Sequence, residues 1–132
     1  MKATHMRKIG MSLILAILAL AASQALTEEP MDKEQVFMRA KLSHSQKILE
    51  GLALEDFKEI AASSNQLKLL SLDVNWQVLQ TEEYIRQSKE FRRAADGLTA
   101  AAEKKNLDGA VLAYFQLTQS CVSCHKYVRD QR

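Results

Sequence analysis

Leu107, Val111, Tyr114, Thr118, Cys121, His125 and Val128 recur at spacings of four, three, four, three, four and three residues. At 3.6 residues per turn such a row occupies one face of an α-helix. A β-strand cannot carry it, because its faces alternate every second residue. The end of the chain is therefore read as a long helix, with Asn106 as its cap, and its partners must offer matching stripes.

Three upstream stretches do so. The first starts just after Pro30, a residue preorganised for a first turn, and runs to about Leu49, before Gly51. Met38, Leu42, Ser45, Leu49 and Leu52 share its inward face, widened by Phe37 and Ile48. The second runs from Glu55 or Asp56 to the region of Trp76. Phe57, Ile60, Ala61, Ser64, Leu67, Leu70 or Ser71, and Val74 form its stripe, and Glu55, Asp56 and Glu59 complement the dipole at its start. The third has Thr81 as N-cap before Glu82 and Glu83, an inward row of Tyr84, Ser88, Phe91, Ala95, Leu98 and Ala102, and a close at Lys104, Lys105 and Asn106. Gly97 inside it costs roughly 1 kcal/mol relative to Ala unless close packing requires it. Four amphipathic helices joined by short connections predict an all-α fold, an antiparallel four-helix bundle.

The N-terminal residues follow another logic. Lys2, Arg7 and Lys8 precede a nearly uninterrupted apolar run from Ile9 to Ala22, and Ala22-Ser23-Gln24-Ala25 supplies small residues for a peptidase site. At 14 residues the run is short for a membrane span, which takes about 20. The expectation is a signal peptide over residues 1–25 and a domain over 26–132, delivered to the periplasm. Retention of the segment as an N-terminal anchor is the alternative.

Charge agrees with that division. Lys2, Arg7 and Lys8 are three of the 18 basic residues; the 15 that remain face 16 acidic ones, a net charge of −1. No basic patch is left to neutralise phosphates, which argues against a nucleic-acid partner.

The chemistry concentrates in Cys121-Val122-Ser123-Cys124-His125, a C-x-x-C-H sequence. This is the attachment pattern for haem c. Two thiols at that spacing add to the two vinyl groups on one porphyrin edge, and the adjacent imidazole is placed to ligate iron. Two other readings stand beside it. A C-x-x-C pair can be a thiol redox centre, though such pairs usually open a helix after a strand, and this one lies late in a helical heptad. A structural zinc site needs four ligands, and outside the leader only His44 remains to complete one.

With four helices, the motif in the last of them and a C-x-x-C-H-x-x-x-R ending that adds Arg129, the chain resembles the class II c-type cytochromes, the cytochrome c-prime family. The resemblance spans nearly all of the chain beyond the leader. It implies one covalent haem c on Cys121 and Cys124 with His125 as the proximal iron ligand. It also implies a distal residue on the first helix, about five turns before the second. Counting back from Phe57 reaches Phe37 or Met38, and only methionine can coordinate. Met38 as sixth ligand gives a low-spin haem with a raised potential; as a core-filling residue it leaves iron five-coordinate and open to nitric oxide or carbon monoxide. Met31, at the helix start, is a weaker candidate.

The resemblance further implies a non-enzymatic role in one-electron transfer, with a redox protein or membrane redox complex as partner. The cytochrome c maturation machinery would act in its biogenesis. Pairing as a homodimer through the first two helices is common in the family, although nothing in this chain requires it. Arg129 either contacts a haem propionate or complements the C-terminal end of its helix. His44 is expected on the surface, and Trp76 and Tyr127 either line the pocket or, the preferred reading, pack as ordinary core residues.

Overall fold

A computed structural model describes residues 32–131. The expected signal peptide, Pro30 and Met31 lie outside the described residues. Four helices follow in order: α1 Lys33–Leu54, α2 Phe57–Leu70, α3 Glu82–Glu103 and α4 Leu107–Asp130, with one turn of 3₁₀ helix at Val74–Trp76 between α2 and α3. Among the described residues there is no strand, and no helix is long and apolar enough to cross a membrane.

Cross-links fix the direction of each neighbour. Ser64 and Lys68 of α2 reach Thr99 and Asp96 of α3 in reverse order, so those helices run antiparallel. In the same way, Ser45 of α1 meets Tyr114 of α4, while Met38 and Leu42 share a cavity with residues further along α4. The expected antiparallel four-helix bundle is what the chain forms.

Local chemistry explains the ends. Asp56, Thr81 and Asn106 cap α2, α3 and α4, each side chain accepting from a backbone N–H in the first turn. The helix α1 does not stop near Leu49 but continues to Leu54. There Glu55, at φ 55°, and the Asp56 N–H bonding the Gly51 carbonyl at 2.8 Å complete a left-handed C-terminal cap. Lys105, at φ 52°, closes α3 in the same way, with the Asn106 N–H on the Ala101 carbonyl at 2.9 Å. Neither position is glycine; the close of α3 falls where Lys104 to Asn106 place it, whereas Glu55 marks no stop for α1. Gly51 serves packing instead: a Cβ on it would lie 2.9 Å from Ile60 Cγ1.

The second helix is shorter than expected, ending at Leu70 rather than near Trp76. Ser71 Oγ donates to the Lys68 carbonyl, and the Asp73 carboxylate accepts from both the backbone and the side chain of Asn75. These local bonds offer the backbone an alternative to the helix. Val74, expected in the stripe, is 81% exposed in consequence.

The core is centred on α3. Its whole expected row, Tyr84, Ser88, Phe91, Ala95, Leu98 and Ala102, is buried. Against it α4 places Ala110, Ala113 and Leu117 rather than the heptad row that opens the sequence reading, of which Val111 is 51% exposed. Small residues allow α3 and α4 to approach closely, and the burial maximum turns about one residue around α4. On the first helix the expected Ile48 and Leu52 are buried together with Gly51, while Leu42 and Leu49 of the same row are 56% and 55% exposed.

Candidate functional site: a cleft between the first and last helices

The displaced stripes face one another across a cavity. Its volume is about 500 Å³, within the few-hundred to 1,000 Å³ of ordinary cofactor sites. Met38, Leu42 and Ser45 border it from α1, and Tyr114, Thr118, Cys121, Cys124 and His125 from α4, with Trp76 and Phe91 behind them. Most of its surface is apolar.

Tyr114 ties the two walls together. Its hydroxyl lies 3.2 Å from Ser45 Oγ and donates to the Ser45 carbonyl at 3.1 Å. Met38 lies seven residues before Ser45, and Cys121 seven after Tyr114. At 1.5 Å per residue each is about 10 Å along its helix from that tie. Because the helices are antiparallel, Met38 is brought across the cavity from the turn that carries the cysteines and His125.

Helical geometry also collects the motif. Residues three and four apart are separated by about 60° and 40° around the axis, so Cys121, Cys124 and His125 share an arc of about 100° that faces the cleft. The two thiols are half-buried and His125 is exposed at the margin. Both thiol pKa values are raised, chiefly by burial, with Lys41 opposing. The His125 pKa is lowered by desolvation, then by the positive charges of Lys41 and Arg129. A neutral imidazole is the form that ligates a metal.

A flat, largely apolar macrocycle suits this donor set: two thiols and an imidazole on one wall, a thioether on the other, and aromatic rings behind. Among the described residues no three of His, Cys, Asp and Glu cluster to hold a metal ion by themselves.

No family model matches the chain, and no curated protein matches it. One solved structure does. It is a nitric oxide complex of a point mutant of cytochrome c prime from Alcaligenes xylosoxidans, 18% identical, covering 74% of this chain and 95% of that chain with a TM-score of 0.46.

The remaining expected residues divide. Arg129 is exposed in the last turn of α4 and does not border the cavity. Tyr127 is half-buried, its hydroxyl 2.8 Å from Thr81 Oγ1, which fits a packing role. Trp76 is more than packing, since it both stacks on Phe91 at 4.8 Å and walls the cavity. His44 is not the surface residue expected: it is half-buried, and among the described residues its Nδ1 has no hydrogen-bond partner.

Two cavity residues escaped the sequence reading. Lys41 stands one turn after Met38, and its Nζ lies 4.1 Å from the Trp76 ring centroid and 4.9 Å from that of Phe37. The i+3 spacing from Met38 was the available signal. Gln87 is 7% exposed. Its amide nitrogen donates to Glu83 Oε1 at 2.5 Å, and among the described residues its buried carbonyl oxygen has no partner.

Proposed function

We infer that the chain is a mono-haem c-type cytochrome of the class II kind that carries single electrons between redox partners after export. One observation carries this reading: the complete C-x-x-C-H set lies on one face of α4 and borders an apolar cavity that has Met38 on its far wall. When bound, the haem would supply reversible one-electron chemistry at iron, and the protein would set ligation, burial and access.

Each residue then has a stated task. Cys121 and Cys124 would hold the group through thioethers, so that a shallow, open cleft need not retain it by packing alone. His125 would present a neutral imidazole from the α4 side. Met38 would present a thioether from α1, and a methionine ligand raises the potential relative to two nitrogens. Phe91, Trp76 and Leu67 exclude water from the inner wall.

Thiol redox chemistry is less well supported. The cysteines sit in the C-terminal half of α4, where the helix dipole disfavours a thiolate, and their pKa values are raised, whereas a reactive pair needs them lowered.

The test is an absorption spectrum of the holoprotein in both oxidation states. A low-spin ferric spectrum with a weak methionine-to-iron band in the near infrared, unaltered by carbon monoxide after reduction, is expected. High-spin bands that respond to carbon monoxide would instead indicate an open sixth position and a gas-binding protein.

A further inference from the structure

Lys41 is the one formally charged side chain among the described residues that border the cavity. Its ammonium lies against two ring faces, Trp76 at 4.1 Å and Phe37 at 4.9 Å, distances at which a cation is attracted by the ring quadrupole. Among the described residues no carboxylate forms a salt bridge with it. Trp76 is itself fixed, with its indole N–H on Ser88 and its ring on Phe91. The cation is thus held at a set place inside the cleft, where a flexible lysine on an outer helix face would sample many.

We propose that Lys41 is an electrostatic positioning residue, whose ammonium, caged by Phe37 and Trp76, raises the reduction potential of the haem held by Cys121, Cys124 and His125. The proposal rests on the haem reading above. Oxidation adds one positive charge at iron, and a fixed cation in the same cavity opposes that addition. At a given distance the opposition scales inversely with the effective dielectric, about 20 near a protein site against 80 in water. A caged charge therefore counts about fourfold more than one in solvent. Burial lowers the Lys41 pKa to about 8, opposed by Cys124, Cys121 and Glu34; at neutral pH the group is still mainly protonated. It also acts on His125, Cys121 and Cys124 through its charge, so its field reaches the whole attachment turn.

The experiment is a spectroelectrochemical titration of the holoprotein at pH 7, comparing Lys41→Gln, Lys41→Arg and Arg39→Gln. Arg39 is exposed on the same helix, so its loss removes one charge without touching the cleft. Lys41→Gln should lower the midpoint potential by clearly more than Arg39→Gln does, because its charge is caged beside the site rather than in solvent, with ferric and ferrous spectra unchanged. Lys41→Arg should restore the wild-type potential. Should Lys41→Gln fail to assemble, Lys41→Leu carries the same expectation in an apolar side chain that cannot ligate iron. A potential that moves no further than in Arg39→Gln overturns the proposal, as does a Lys41→Arg protein that behaves like Lys41→Gln. Both outcomes leave the haem reading intact; wild-type protein without covalent haem would overturn that reading and this one with it.

Discussion

The indole Nε1 of Trp76 donates to Ser88 Oγ at 2.9 Å, a buried bond that locks the wall of the cleft to the middle of α3. The Tyr84 hydroxyl donates to the Trp76 backbone carbonyl from one turn earlier on the same helix. The irregular link between α2 and α3 is therefore anchored twice, and Trp76 is aimed inward although it belongs to no long helix.

Ser88→Ala should destabilise the domain by about 1–3 kcal/mol, since the indole N–H would be left buried and unpaired. Urea unfolding followed by tryptophan fluorescence reads the change. A loss below a few tenths of a kcal/mol would mean that the bond does not anchor the link.

Two glycines give opposite expectations. A Cβ on Gly51 would lie 2.9 Å from Ile60 Cγ1 and 3.2 Å from the Asp56 carbonyl oxygen, the latter being backbone that cannot easily yield. Gly51→Ala should therefore cost about 1–3 kcal/mol through overpacking, offset by about 1 kcal/mol of helix propensity. On Gly97 a Cβ would meet only Ala113 Cβ, at 3.9 Å, an ordinary contact. Gly97→Ala should stabilise by about 0.4–1 kcal/mol. Thermal unfolding of the two variants should shift in opposite directions.

His44 makes stability depend on pH. Burial, then the charge of Lys47, lowers its pKa below 6.5, against an opposing contribution from Glu59. The unfolded chain therefore binds the proton first, so stability rises with pH through the region below 6.5 and is lost as pH falls through it. Its unpaired Nδ1 points the same way. His44→Gln should flatten the profile of unfolding free energy between pH 7 and pH 5; an unchanged slope would remove His44 as its source.

Met38→Ala removes the one thioether that borders the cavity among the described residues. The ferric holoprotein should pass from low spin to high spin, and the reduced form should gain carbon monoxide binding. An unaltered spectrum would exclude Met38 as iron ligand and leave it a packing residue.

Much of this was legible in the chain because α3 packs against both α2 and α4: every member of the Tyr84 to Ala102 row is buried where its period places it. The face of α4 was misplaced by about a residue, and that of α1 was right at Ile48 and Leu52 but wrong at Leu42 and Leu49. Large apolar side chains drew the stripe through Leu49 and Val111, whereas the buried contacts run through Gly51, Ala110 and Ala113, whose small size signals little in a hydrophobic pattern. The same misplaced stripe nevertheless selected Met38, Cys121 and His125, which lie together along the cleft. Lys41 stayed hidden because charge argues for solvent, and only the ring faces of Phe37 and Trp76, brought together by folding, reveal where its ammonium rests.

The account depends on a covalent bond from each cysteine to one haem, and intact mass spectrometry reads that directly. Protein exported from a host able to assemble c-type cytochromes should weigh its polypeptide plus one haem under denaturing conditions, and the Cys121→Ala, Cys124→Ala double variant should lose that addition. A wild-type mass equal to the polypeptide alone, in a colourless preparation, would contradict it.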